Sequence, residues 1–150
     1  EVLDLAKGAG VHALLDVKPG PSLDKARIVR LTEQHGAVLD VIVGARSVGD
    51  LREFRALNHN LRTLAFVPDV ASIESFVAAG ADIVRLWPDW IFADGGLVGK
   101  VQAMGRPVWT TAGDLPRGEL EKLIASGVNG NLRDLPDVLL QLLSEIEKRR

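Results

Sequence analysis

The chain has 150 residues, a net charge of -2 and a hydrophobic content of 47%. That size and apolar share suit one domain, residues 1–150, with a sizeable core, and the dispersed Lys and Arg leave no basic stripe of the kind that nucleic acid needs. The lack of Cys excludes a disulfide framework, a thiolate metal site and a Cys nucleophile but assigns no compartment; no apolar run reaches the ~18 residues of a membrane span, so a soluble protein is the expectation, its compartment open with the cytoplasm favoured.

Glu1–Lys7 reads as a helix already under way, and the opening on Glu1 rather than Met suggests truncation or processing. After it, apolar runs of strand length alternate with helical patterns. Strands are expected at Val11–Val17, Val38–Val43, Arg62–Val67, Asp82–Leu86, Arg106–Thr110 and Val128–Leu132. Helices are expected at Ser22–His35, Val48–Leu57, Ser72–Ala79, Leu97–Met104, Gly118–Ser126 and Pro136–Lys148, with Ala93-Asp94-Gly95-Gly96 as a loop. The strands are rich in Val, Leu, Ile and Ala with little alternation, as a parallel sheet covered by helices requires. Gly80-Ala81-Asp82, Gly105-Arg106-Pro107 and Gly127-Val128-Asn129 look like copies of one helix-to-strand turn, with Gly supplying the left-handed residue that ends a helix. About six βα units in a row fit either an open doubly wound sheet or an incomplete (β/α) barrel of the TIM type. No G-x-G-x-x-G follows the first strand, so a dinucleotide fold lacks its main support.

Asp16 and Lys18 stand two apart at the end of the first strand, so their side chains leave one face, shared with His12 and Leu14. In a barrel that face points inward, and the carboxyl end of a strand is where active sites lie. A carboxylate there suits a divalent cation, Mg²⁺ or Ca²⁺, and an ammonium suits a phosphate oxygen. The alternatives are a strand-end ion pair or a cap for the helix Ser22–His35. Arg85, Trp87 and Asp89 cluster after the fourth strand: Arg85 is a candidate to neutralise a phosphate, and Trp87 and Trp90 to wall a pocket, against the plainer reading of a helix start with Asp89 near its N-terminus. Trp109 is either a pocket residue or a core aromatic. Asp134, before Pro136, reads as a helix cap. His12, His35 and His59 all fall on helix-to-strand connections, the stability face of a barrel, and the basic end Lys148-Arg149-Arg150 reads as a solvated helix terminus.

The stretch Gly105-Arg106-Pro107-Val108-Trp109-Thr110-Thr111, followed by Gly127-Val128-Asn129-Gly130-Asn131-Leu132-Arg133-Asp134-Leu135-Pro136, resembles the last two strand–helix units of the glycerophosphodiester phosphodiesterases. Members carry "V-x-W-T-V-N" and "G-V-D-G-I-I-T-D-x-P" there. The resemblance covers most of the chain and implies an incomplete barrel whose first strand matches the family's third. It implies hydrolysis of a small-molecule glycerophosphodiester to glycerol 3-phosphate and an alcohol, with a divalent metal (Mg or Ca). The family's "E-I-K" stands here as Asp16-Val17-Lys18. By that likeness Asp16 contributes to the metal, Lys18 is the catalytic residue at the phosphate, and Trp109 meets the glycerol.

Thr111-Ala112 replaces the family's Val-Asn, and of its "S-F-D" only Ser47, after Arg46, has a match. The family's "H-R-G", "H-D" and "E-x-D" motifs do not occur in these 150 residues, so hydrolysis is expected of a completed barrel. The other expectation is a non-catalytic α/β module with a vestigial anion site. Its open sheet edges would invite homo-oligomers.

Overall fold

A computed structural model describes residues 1–18, 20 and 23–149. Pro19, Ser22, where a helix is expected to begin, and Arg150 of the basic end lie outside the described residues. The elements run α1 (Val2–Gly8), β1 (Ala13–Asp16), α2 (Lys25–Gln34), β2 (Val41–Ala45), α3 (Val48–Leu57), β3 (Arg62–Phe66), α4 (Ile73–Ala78), β4 (Ile83–Leu86), α5 (Pro88–Ala93), α6 (Leu97–Ala103), β5 (Val108–Gly113), α7 (Arg117–Ala125), β6 (Gly130–Arg133) and α8 (Pro136–Lys148). The strands form one six-stranded sheet in the order β1-β2-β3-β4-β5-β6. Chain order across a parallel sheet is the order of a (β/α) barrel; a doubly wound sheet reverses direction partway. The fold is thus α/β, TIM-barrel-like and incomplete. No helix of the described residues is long and apolar enough to cross a membrane.

Contacts divide the chain into two compact units, Glu1–Val84 and Arg85–Arg150. In the first, β1 pairs parallel with β2, Ala13 beside Val41 through Asp16 beside Gly44, and β2 pairs parallel with β3. Ala13, Leu15 and Val17 pack on a core of Val29, Ala37, Val41, Val43, Phe54 and Leu61. Their alternation with Leu14, Asp16 and Lys18 leaves the latter three on the other face. In the second unit β5 pairs parallel with β6, Trp109 beside Gly130, with a register shift between Thr111 and Gly113. There Val108, Thr110 and Ala112 are buried, while Trp109, Thr111 and Gly113 are only half-buried.

Three departures from the sequence reading have local causes. β2 starts at Val41, because Ala37 to Asp40 close a turn through Asp40 N–H donating to the Ala37 carbonyl at 3.0 Å. β5 starts at Val108, since Pro107 brings no N–H to a ladder. α5 is a short helix of its own where only a helix start was expected. Its Pro88 stands at the first helical position and Asp89 in the first turn, both favoured there.

The helix-to-strand turns share a device. Gly80 and Gly127 are left-handed, with φ of 96° and 84°. From α3, Arg55 donates to the Gly80 carbonyl at 3.0 and 2.7 Å and to the Asp82 carboxylate. Asp82 also accepts from the backbone N–H of Thr63 at 2.8 Å. From α6, Gln102 likewise donates to the Gly127 carbonyl at 2.8 Å and to the Asn129 side-chain oxygen at 3.0 Å. Asn129 accepts from the N–H of Val108 at 2.8 Å. Lys7 of α1 reaches the Gly36 carbonyl in the same way, at 3.2 Å. Gly105 has the left-handed φ, 75°, but Pro107 at the third position has no side-chain acceptor to complete the set.

Candidate functional site

In the first unit, the carboxyl ends of β1 and β2 carry a charged cluster. Asp16 lies beside Gly44 in the ladder, so Arg46, two residues further on, leaves the sheet on the same face as Asp16 and Lys18. Arg46 Nη2 donates to Asp16 Oδ1 at 2.7 Å, and Lys18 Nζ lies 3.5 Å from Asp16 Oδ2. The Arg46 guanidinium also lies over the Phe66 ring, 4.7 Å from its centroid. The ring reaches that place because residue 44 is glycine: a Cβ there would stand 2.3 Å from it. Both Asp16 oxygens thus face cations, and the sum of the three charges is +1. Arg46 Nε is buried and has no hydrogen-bond partner among the described residues.

This arrangement does not fit a metal held by this chain's own residues. The Asp16 carboxylate is engaged by a guanidinium and an ammonium, and no three His, Cys, Asp or Glu side chains come together among the described residues. It fits an anion: Lys18 is exposed, Arg46 is partly so, and both bring donors that match phosphate oxygens. Arg46 is the residue that sequence reasoning undervalued. Its neighbour Ser47 is spoken for, accepting from the N–H of Asp50 at 3.0 Å and donating to Asp50 Oδ2 at 2.7 Å as the cap of α3.

In the second unit, a cavity of about 510 Å³ opens at the ends of β4 and β5, lined among others by Trp87, Asp89, Trp90, Thr111 and Gly113. Arg85, 4% exposed, lies under the Trp87 ring with its guanidinium carbon 3.7 Å from the centroid. Trp87 itself is 42% exposed. Gly113, at φ 51°, turns the chain out of β5, and Arg133 of β6 holds the following loop by donating to the Leu115 carbonyl at 3.1 Å. Trp87 and Trp90 line this pocket, and the plainer reading holds as well, since α5 starts here with Asp89 in its first turn.

Trp109 is not among the residues lining this cavity. It sits two places into β5, with its indole against the Gly130 backbone: a Cβ on Gly130 would stand 2.6 Å from indole Cδ1 and Nε1. The cap expected at Asp134 is corrected: Pro136 is the first residue of α8, which places Leu135 at the cap position, with no side-chain cap bond. The histidines stand away from the Asp16 cluster. His12 precedes β1, His59 precedes β3, and His35 closes α2 with Nδ1 2.7 Å from Asp4 Oδ1.

No protein-family model matches the sequence, and no curated protein does. Solved structures match its fold. A glycerophosphodiester phosphodiesterase from Agrobacterium tumefaciens str. C58 aligns over 91% of this chain and 58% of its own, at TM-score 0.76 and 17% identity. A glycerophosphoryl diester phosphodiesterase from Parabacteroides distasonis ATCC 8503 aligns over 97% of this chain and 54% of its own, at TM-score 0.79 and 18% identity. The chain therefore spans little more than half the length of the structures it resembles, and what it shares with them at this identity is the fold.

Proposed function

We propose that this chain is the phosphate-holding part of a glycerophosphodiester phosphodiesterase-like barrel, which when complete hydrolyses a glycerophosphodiester to glycerol 3-phosphate and an alcohol. The observation that carries the reading is the pair of cations, Lys18 and Arg46, flanking Asp16 at the carboxyl ends of neighbouring strands, on the end of a barrel where substrates bind. The fold likeness supports the reaction class; fold by itself leaves the chemistry open.

In this reading Lys18 and Arg46 face non-bridging phosphate oxygens and offset the charge that builds on them as water adds to phosphorus and the alkoxide departs. Asp16 keeps both cations oriented. In the second unit, Arg85 supports the Trp87 ring from below. The proton donor and acceptor are not drawn from His12, His35 or His59, which lie elsewhere. A divalent metal is not given a ligand set from this chain, and no step is routed through one.

The test is release of glycerol 3-phosphate from glycerophosphodiesters by the natural full-length protein, with phosphomonoesters as controls. Hydrolysis of diesters alone supports the assignment; hydrolysis of monoesters alone makes it another phosphate-handling barrel enzyme. The second reading, a non-catalytic module with an anion site, is favoured by the closed Asp16 pairing. It predicts phosphate binding without turnover, and association through the edges of β1 and β6 that sedimentation would register as a species above 16.2 kDa.

A further inference from the structure

We infer that the fixed positive charge meeting a phosphate at the ends of β1 and β2 is the guanidinium of Arg46 rather than a divalent cation, and that Asp16 is a positioning residue for Arg46 rather than a metal ligand. The inference rests on the phosphate-site reading above and concerns how that site is charged.

Four observations converge on it. The ladder fixes Asp16 beside Gly44, which brings Arg46 onto the face of Asp16 and Lys18. Gly44 leaves room for Phe66, whose ring supports the guanidinium from one side at 4.7 Å. Asp16 holds its edge at 2.7 Å, so the group is oriented on two sides before any ligand arrives. Its Nε is buried without a partner among the described residues, so the guanidinium keeps donor capacity that its present neighbours do not use.

Charge points the same way. With one carboxylate between two cations, the cluster attracts an anion and repels a second cation. A divalent ion on Asp16 would displace Arg46 from its acceptor and stand beside two like charges. A planar guanidinium stacked on a ring also has the fork geometry that matches two phosphate oxygens, which a lysine does not.

The experiment is calorimetric titration of the chain with inorganic phosphate, in EDTA and again with Mg²⁺ or Ca²⁺. The expected result is binding in EDTA that added metal changes by less than about twofold. Arg46→Ala should weaken it about tenfold or more, the scale of a lost charge-assisted bond. Arg46→Met, which keeps an apolar stem on Phe66, should do the same, with circular dichroism confirming the fold of each variant. Arg46→Lys should recover only part of the affinity, and Asp16→Asn should still bind phosphate in EDTA. Binding that requires metal, is lost in Asp16→Asn and survives in Arg46→Met would overturn the inference while leaving the phosphate site standing. A folded chain that binds no phosphate under either condition overturns both.

Discussion

The indole of Trp109 occupies the space that a side chain on Gly130 would need: a Cβ there would lie 2.6 Å from indole Cδ1 and Nε1 and 2.8 Å from Cε2. The two residues are partners across the β5–β6 ladder, so neither can move aside without opening it. Gly130→Ala is expected to cost about 1–3 kcal/mol, the usual scale of overpacking. Trp109→Leu in the same chain should return most of that loss. Denaturant unfolding of both single variants and the double variant checks it; strictly additive losses would mean that the two side chains do not compete for that space.

The Arg55–Asp82 and Gln102–Asn129 sets invite comparison. Asp82 accepts from Thr63 N–H, Thr63 Oγ1 and Arg55, while Asn129 accepts from Val108 N–H and Gln102. Removing either acceptor leaves a strand-end N–H in want of a partner, at about 1–3 kcal/mol. Asp82→Ala should lie at the upper end and Asn129→Ala at the lower. Equal losses would show that the ionic contact with Arg55 adds nothing to the backbone bond.

Thr110 is fully buried, and its Oγ1 has no hydrogen-bond partner among the described residues. Thr110→Val keeps the shape and removes the hydroxyl, so the variant should be more stable by about 1 kcal/mol. A less stable valine variant would mean that the hydroxyl is satisfied in solution.

Lys25 sits between Asp50, at 2.7 Å, and Glu53, at 2.6 Å. Its bonds, first to Asp50 and then to Glu53, hold the Lys25 pKa above the ordinary lysine value. Asp50 is held below the ordinary aspartate value, first by Lys25 and then by Ser47. A depressed carboxylate contributes stability that is whole above its unfolded pKa and is lost as pH falls through the folded one. A raised ammonium contributes fully below its unfolded pKa and loses the contribution as pH rises through the folded one. The pair therefore acts across the neutral range and fails at both extremes. On acidification below the ordinary aspartate range, Asp50→Asn should lose less stability than the unaltered chain. Parallel curves in denaturant titrations at stepped pH would remove the assignment.

For the natural full-length protein, Lys18→Ala should abolish diester hydrolysis with the fold intact, and an unchanged kcat/KM would end the role given to Lys18. Trp109→Phe should raise KM, as loss of the glycerol contact that the resemblance assigns to Trp109 would; an unchanged KM would remove that role.

The run of βα units was legible because most strands are short apolar runs preceded by a helix-ending Gly, the choice of barrel over doubly wound sheet came from the family resemblance, and the Asp16–Lys18 relation was legible because a spacing of two is local. Arg46 escaped notice because its partners are fixed by the β1–β2 register and by the ring of Phe66 arriving from β3, neither of which any window around residue 46 records. Trp109 stayed open between pocket residue and core aromatic for the opposite reason. Its motif is local, yet its surroundings are set by Gly130 on the next strand. The start of α5 was legible in Trp87-Pro88-Asp89, a Pro at the first helical position followed by an acid; its length was not, because six residues give no amphipathic period to read.

The bonds from Lys7, Arg55 and Gln102 to glycine carbonyls span 29, 25 and 25 residues. Each ties a helix to the turn that opens the second strand after it. Together with a sheet paired in chain order, they make every loop that must close during folding short and of similar length, so the entropic cost of ordering arrives in even steps. Such a chain is suited to growing by accretion, each new strand laid on the last as it leaves the ribosome, and to coming apart from its ends inward.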